Sequence, residues 1–361
     1  MSERESLQRK IIALTQTNED LSDVAFNELA LSAFRFQFQH NAPYRRYSER
    51  RRVTPDTAQH WLDVPAVPTA AFKEAKLIAG DPADAELVFR TSGTTQGVEK
   101  RGVHYVLDRS IYEASLLPTF KQFVLPDVDK MTMVSLVPGW RKGGESSLAF
   151  MISFVMQKLG SVNSFNAVSN EGVDFNKLTQ RLQQTGEPVC ILGTSLAFVH
   201  WFEHLRAQHI SLVLPRGSRV MDTGGFKGVQ RAISSKELRE LYRELLGVAL
   251  TNVVNEYGMT EMLSQFYDVQ LRDPASDGIK GGPPWVRSAV VHPESLRPLP
   301  EGETGLLRHF DLANVFSVSA IQTEDVGIQR HGGFELLGRA SGATPRGCSI
   351  AMDMFLSAAR T

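Results

Sequence analysis

The stretch Pro188-Val189-Cys190-Ile191-Leu192-Gly193-Thr194-Ser195-Leu196-Ala197-Phe198-Val199-His200-Trp201-Phe202 decides the fold class. Its short apolar run reads as a strand buried on both faces, and the segment that follows, Ser195 to His209, spaces large apolar residues at helical intervals. The alternation recurs along the chain. Met131 to Val137, Ser218 to Met221 and Thr251 to Val254 read as further strands, with Ser146 to Leu159 and Ser235 to Leu246 as helices. Strands separated by helices cannot pair through tight hairpins, so the expectation is an α/β fold with a largely parallel, helix-flanked sheet. Cys190 sits in the apolar run and reads as a small buried hydrophobe.

Outward from this core the pattern changes. The first 75 residues read as helical, with Leu7, Ile11, Ile12 and Leu14, then Phe26, Leu29, Phe34 and Phe36, at near-helical intervals. Past about residue 262, Gly/Pro-rich turns separate short strands at Leu306 to His309, Val315 to Thr323 and Phe334 to Leu337, which predicts an antiparallel or barrel-like end. No internal repeat or low-complexity tract interrupts the chain.

Charge and cysteine usage exclude several classes. In 361 residues, 39 Lys and Arg balance 40 Asp and Glu, so there is no overall electrostatic footprint for nucleic acid or an anionic membrane. The cluster Arg45, Arg46, Arg50, Arg51, Arg52 reads as a solvated surface run. The longest apolar stretch, Leu148 to Met156, is far short of the roughly 20 residues that span a bilayer. Two cysteines make neither a disulfide framework nor a metal-ligand spacing, and the expected setting is soluble, reducing and cytoplasmic.

Several segments have the residue types for nucleotide chemistry. The strand-like Glu86 to Arg90 runs into Thr91-Ser92-Gly93-Thr94-Thr95-Gln96-Gly97, with Lys100 beyond Val98-Glu99. Glycines and hydroxyls after a strand can wrap oligophosphate, although this is not a Walker A loop, and an ordinary polar turn has the same composition. Asn255-Glu256-Tyr257-Gly258-Met259-Thr260-Glu261 follows a strand; a tyrosine there can stack on a purine, a threonine can reach a phosphate, and a glutamate can hold Mg²⁺ between phosphates. Thr223-Gly224-Gly225 ends another strand and is flexible enough to lie against a flat ring. Asp325 and Arg339, fourteen residues apart across a turn, can grip ribose hydroxyls. Singly, each segment also reads as a turn or a helix start.

Together, Thr91 to Lys100, Gly224-Gly225, Tyr257 to Glu261, Asp325 and Gly338-Arg339 resemble the motif series of adenylate-forming enzymes, which convert a carboxylate and ATP to an acyl-adenylate and pyrophosphate. Val67 to Lys73, Ser146-Ser147-Leu148, Thr223 to Gly228, Ser264 to Tyr267, Phe310 to Asn314 and Arg346-Gly347-Cys348-Ser349 narrow the resemblance to LuxE-type acyl-protein synthetases, over about residues 65 to 352. Those enzymes are the fatty-acid-activating subunits of the bacterial luminescence reductase complex.

The resemblance implies that Thr91, Ser92, Gly93, Thr94, Thr95, Lys100 and Thr260 cradle the phosphates of ATP, that Gly224, Gly225 and Tyr257 enclose adenine, and that Asp325 and Arg339 hold ribose. It further implies that Glu261 binds Mg²⁺, that Arg339 assists adenylation, and that Cys348 takes the acyl group before an acyl-accepting reductase or carrier protein does. Gln96 stands where the superfamily has a glycine, and the usual small mobile C-terminal domain has no counterpart. The implied organisation is a helical segment 1–75, an adenylation domain 76–340 and a tail 341–361 carrying Cys348. Arg346 beside Cys348 would favour the thiolate, and the flanking Gly347 and Ser349 predict a mobile segment. The apolar helix from Ser147 to Met156 is a candidate lining for an acyl tunnel.

Three other readings stay open on residues alone. One activates an aromatic acid and transfers it to a free thiol such as coenzyme A. Another is a serine acyltransferase or hydrolase, because Gly193-Thr194-Ser195 follows a strand like a loose nucleophile elbow. The last is a catalytically silent binding module.

Overall fold

The computed structural model describes residues 2–92, 100–141, 143–224, 233–276, 278–340 and 345–359. The chain packs as two compact units. One comprises Met1–Pro118, Met259–Gln265 and Ile279–Thr361, and the other Thr119–Gly258 and Phe266–Gly278.

The second unit holds the parallel sheet. Its strands lie in the order Phe165–Asn166, Thr132–Ser135, Val189–Thr194, Arg219–Thr223 and Val253–Tyr257, all parallel, with Phe266–Asp268 added antiparallel to the last. Three helices begin where side-chain caps satisfy their free N–H groups: Ser146 caps Ser147–Leu159, Thr194 caps Ser195–Ala207, and Ser234 with Glu237 forms a capping box on Ser235–Leu246. Gly247, at φ 66°, ends the last in the left-handed conformation that only glycine adopts without strain. Phe198 and Phe202 pack edge-on against Tyr242, with ring centroids 5.0 and 5.3 Å away, and seal the two later helices in one apolar core with Ile191 and Val220. Met151 and Phe150, on the proposed tunnel helix, are buried; Met151 Sδ accepts from the Tyr267 hydroxyl at 3.8 Å.

The first unit is the antiparallel half. Val286–Val291, Thr304–Asp311, Ala320–Arg330, Gly333–Arg339 and Ile279–Gly281 pair in that order, and Val67–Pro68 runs parallel to Ala320–Arg330. Helices Glu3–Thr17, Asp23–His40 and Ala42–Arg50 belong to this unit, whereas residues 51–66 form turns. One predicted strand starts late. Residues 315–319 are not extended, because their carbonyls are claimed by side chains: Gln37 Nε2 donates to Val315 O at 3.0 Å, and Asn41 Nδ2 to Ser317 O at 3.2 Å. The strand begins at Ala320.

The arginine cluster is not simply solvated, and the C-terminal segment is not loose. Arg346–Ala359 is a helix. Arg46 Nε donates to Ala358 O at 2.8 Å, Arg50 to Ser357 Oγ at 2.7 Å, and the Tyr47 and Phe355 rings lie 5.6 Å apart. Cations here also complement the negative end of the helix dipole. At the other end, Gly347 N–H donates to Pro293 O at 2.8 Å, and a Cβ on Gly347 would lie 2.5 Å from that oxygen. Gly347→Ala is therefore expected to destabilise the protein by roughly 1–3 kcal/mol, the usual cost of overpacking. Denaturant unfolding measures it, and an unchanged midpoint would contradict this seating.

Candidate active site

In the second unit the strands Arg219–Thr223 and Val253–Tyr257 are parallel and in register, with Thr223 opposite Glu256, so their carboxyl ends bring Gly224 and Tyr257 out side by side. The Thr223 hydroxyl donates to the Glu256 carboxylate. Asp222, buried one residue before, accepts from Tyr242 OH at 3.0 Å and Asn255 Nδ2 at 2.9 Å. These bonds fix the strand ends. Gly224 has φ 81°, and the space where a Cβ would stand is open, as a flat ring lying on the backbone requires. The Tyr257 ring leans on Phe266, with centroids 5.9 Å apart. Gly225 lies outside the described residues.

Ser195 does not form a hydrolase site. Its hydroxyl is buried 3.2 Å from Asp222 Oδ2 and 3.1 Å from Gly224 O, both acceptors, and among the described residues it has no hydrogen bond to an imidazole. The residue opens a helix and ties it to the strand end.

In the first unit, the hairpin of Leu87–Arg90 and Val103–Val106 frames the phosphate-loop candidate. Thr91 closes that hairpin: its N–H donates to Gly102 O at 3.0 Å and its Oγ1 accepts from Gly102 N at 2.9 Å. Ser92 is exposed at the loop's start. Gly93, Thr94 and Thr95 lie outside the described residues. Lys100 pairs with Glu74, Nζ to Oε2 at 2.7 Å, so it must exchange that partner to meet a phosphate.

Thr260 and Glu261 are positioned by residues that the sequence did not nominate for this role. His104 Nδ1 donates to Thr260 O at 2.7 Å, and Asn314 Nδ2 donates to Glu261 O at 2.8 Å. Burial pushes the His104 imidazole down to about 4, so it is neutral at physiological pH and serves as a fixed donor. Nothing in a lone histidine of strand Val103–Val106 pointed to this, whereas Asn314 lay within a quoted motif. Glu261 is buried, 7% exposed.

Asp325 and Arg339 stand directly opposite each other across the antiparallel pair. The guanidinium binds the neighbouring Glu324, with Nη2 2.5 Å and Nε 3.2 Å from Oε2. Burial alone would lower the Arg339 pKa, but the Glu324 bond and the charges of Glu324, Asp325 and Glu261 raise it. Arg339 is thus bonded to Glu324 and held charged by the acidic groups around it.

Cys348 lies in the first turn of its helix, 3% exposed, packed with Val291 and Leu306, its Sγ 3.7 Å from Thr323 O. A helix N-terminus and Arg346 would favour a thiolate, but burial, aided by the Glu324 charge, pushes the thiol up to about 11. In this arrangement it is protonated and held, contrary to the mobile, activated segment predicted from its neighbours. Cys190 is fully buried, as its sequence context predicted, and burial pushes its thiol up to about 12.

Among the described residues no cluster of three or more His, Cys, Asp or Glu can hold a metal, and no helix is long and apolar enough to cross a membrane. A single buried carboxylate suits a Mg²⁺ whose other ligands come from phosphates and water, and does not suit an all-protein metal site.

Comparison with known proteins gives a family and a fold. The family described as acyl-protein synthetase, LuxE, matches residues 11–357. A protein of Vibrio harveyi named long-chain-fatty-acid–luciferin-component ligase is 23% identical over 349 residues, 92% of this chain and 88% of that protein. Its namesake from Aliivibrio fischeri is 24% identical over 344 residues, 90% and 87% of the two chains. A 2-hydroxyisobutyryl-CoA ligase solved with 2-HIB-AMP and CoA superposes with a TM-score of 0.66 at 14% identity, covering 89% of this chain and 71% of that one, a likeness of fold.

Proposed function

The chain belongs to the LuxE acyl-protein synthetase family, and we propose that it activates a fatty acid with ATP and then carries the acyl group on Cys348 as a thioester. Its curated relatives are named as fatty-acid ligases, and it is an ATP-dependent ligase. The observation that carries the Cys348 step is the Glu324 carboxylate, which pairs with Arg339 and whose charge is felt at Cys348, so the proposed adenylation residues and the thiol share one neighbour.

In the first step a carboxylate oxygen attacks the α-phosphorus of ATP and the bond to pyrophosphate breaks. Asp325 and Arg339 hold ribose, Gly224, Gly225 and Tyr257 receive adenine, and Thr91, Ser92, Gly93, Thr94, Thr95, Lys100 and Thr260 meet the phosphates. Glu261 holds Mg²⁺, which when bound neutralises charge on the phosphate oxygens. Arg339 raises the electrophilicity of the phosphorus by the same electrostatics. In the second step the Cys348 sulfur attacks the acyl carbon, the bond to AMP breaks, and the thiol proton passes to solvent. The sulfur must first leave Thr323 O and its apolar cover, so the start of the Arg346–Ala359 helix moves in this step. A reductase or carrier protein is the proposed final acceptor.

The buried, protonated state of Cys348 favours one second reading, in which the adenylate is intercepted by a free thiol such as coenzyme A. Carboxylate-dependent exchange of labelled pyrophosphate into ATP tests the first step for both readings; no exchange with any of a broad carboxylate panel would overturn it.

His104 and Asn314 act on this step by positioning. Asn314→Ala is expected to lower exchange roughly tenfold or more, because a misplaced ligand of about 1 Å can cost 10²-fold. Raising Mg²⁺ should recover part of that loss, whereas a purely structural defect would not respond. An unchanged exchange rate at low Mg²⁺ would refute the role.

A further inference from the structure

A cavity of about 820 Å³ lies within the first unit, apart from the residues given to adenylation. Five arginines line it: Arg50, Arg51, Arg52, Arg297 and Arg308. Asp63 is the single acidic lining residue, and its Oδ2 already accepts from the amides of Gln59 at 3.1 Å and His60 at 2.8 Å.

Two of the lining side chains, Arg308 and Gln322, are polar and buried. Arg308 donates to Val64 O; the Asp63 charge reaches it, but among the described residues the two form no ion pair. A buried guanidinium without a direct ion pair is costly, and the Asp63 charge offsets only part of that cost. Burial pushes it down to about 10, so an anion beside it would restore what burial removes. Gln322 is 1% exposed; its Nε2 donates to Leu307 O at 3.2 Å and Thr323 O at 3.0 Å, which fixes the amide orientation and leaves Oε1 without a partner. A ligand here needs negative charge and, next to it, a hydrogen-bond donor.

Among the described residues the other four lining arginines have no carboxylate partner either. Arg50 bonds to Ser357 Oγ and Arg51 to Met354 Sδ, and Arg52 and Arg297 are exposed. A monoanionic carboxylate would leave most of this charge unmatched, whereas a phosphate ester carries nearly two charges and accepts bidentate bonds from arginine.

We propose that this cavity binds a phosphate-bearing ligand with an adjacent hydroxyl or amide donor, seated against Arg308 and Gln322. It adjoins the thiol by three routes: Leu296 both lines the cavity and packs against the apolar cluster that contains Cys348, Met354 belongs to the same helix as Cys348, and Gln322 precedes Thr323, whose carbonyl meets the sulfur. The chemistry fits either free hydrogen phosphate or the phosphate arm of a thiol-bearing acyl acceptor. The inference stands on the cavity and does not require the adenylation reading.

Calorimetric titration of the full chain, with a non-hydrolysable ATP analogue in excess to fill any nucleotide site, tests it. The probes are inorganic phosphate, 4′-phosphopantetheine and, as control, unphosphorylated pantetheine. Both phosphates are expected to bind saturably and the control not to. The surface variant Arg52→Glu/Arg297→Glu should weaken both by at least roughly tenfold, and Arg308→Met, checked for folding by circular dichroism, should abolish binding. Tighter binding of phosphopantetheine assigns the site to a thiol-bearing acceptor, and equal binding assigns it to free phosphate. Absence of saturable phosphate binding, or equal affinity in the double variant, would overturn the proposal. The double variant should retain pyrophosphate exchange at the wild-type rate, so failure here and failure of the adenylation reading are separate results.

Discussion

Replacing Cys348 by alanine is expected to leave carboxylate-dependent pyrophosphate exchange near the wild-type rate while removing all thioester-linked acyl group from the protein. The two readouts part because the sulfur is proposed to act only after pyrophosphate has left. The structural cost is small: one sulfur is lost from a cluster with Val291 and Leu306, about 1 kcal/mol by analogy with other small deletions in packed sites. The resting state adds a pH signature. The folded thiol titrates near 11, above its ordinary value of 9.0, so its proton is retained in the folded form. The corresponding stabilisation is complete below about pH 9 and is lost as pH rises toward 11. Alkylation of Cys348 at pH 8 should therefore be slower than that of an unstructured cysteine. Acyl-protein formation at the wild-type rate in Cys348→Ala would remove Cys348 from the mechanism.

Replacing Glu261 by glutamine is expected to cut pyrophosphate exchange by roughly 10²–10³-fold, the scale on which single electrostatic contributors to a transition state act. The substitution keeps size and removes charge. Because the Glu261 backbone carbonyl is held by Asn314, the loop should stay in place and the melting temperature should change little. The loss is expected in the exchange step itself, so acyl-protein formation falls in parallel. Exchange within a factor of a few of wild type would show that Mg²⁺, if used, is held elsewhere.

The parallel half of the fold was legible because its strands are buried on both faces and their apolar runs stand out between capped helices; Ser146, Ser195 and Ser235 fell within a residue of the true starts. The antiparallel half was legible in kind but not in detail. Val315 to Ser319 has a strand's composition, yet Gln37 and Asn41, some 280 residues away, take its carbonyls, and no local signal reports such partners. The same holds for the arginine cluster, whose bonds to the C-terminal helix join residues about 300 positions apart.

The candidate site followed the same division. Asp325 and Arg339 were read as a pair from their spacing, and the register places them opposite each other. Glu324, which holds Arg339, was hidden because adjacent acids look alike in sequence. Cys348 was read as lying in a loose segment: glycine beside it signals freedom in isolation, whereas here Gly347 permits a close approach to Pro293 O that fixes the helix. His104 carried no sequence signal, since its role depends wholly on where Thr260 arrives.

The central claim is that one chain both activates a carboxylate and carries it. Intact-protein mass spectrometry after incubation with ATP, Mg²⁺ and a carboxylate library measures this directly. The predicted result is a mass increase equal to one acid less one water, sensitive to hydroxylamine, and found in the peptide that contains Cys348. Pyrophosphate exchange with no covalent acyl group on the protein, or an acyl group on a residue other than Cys348, would contradict it.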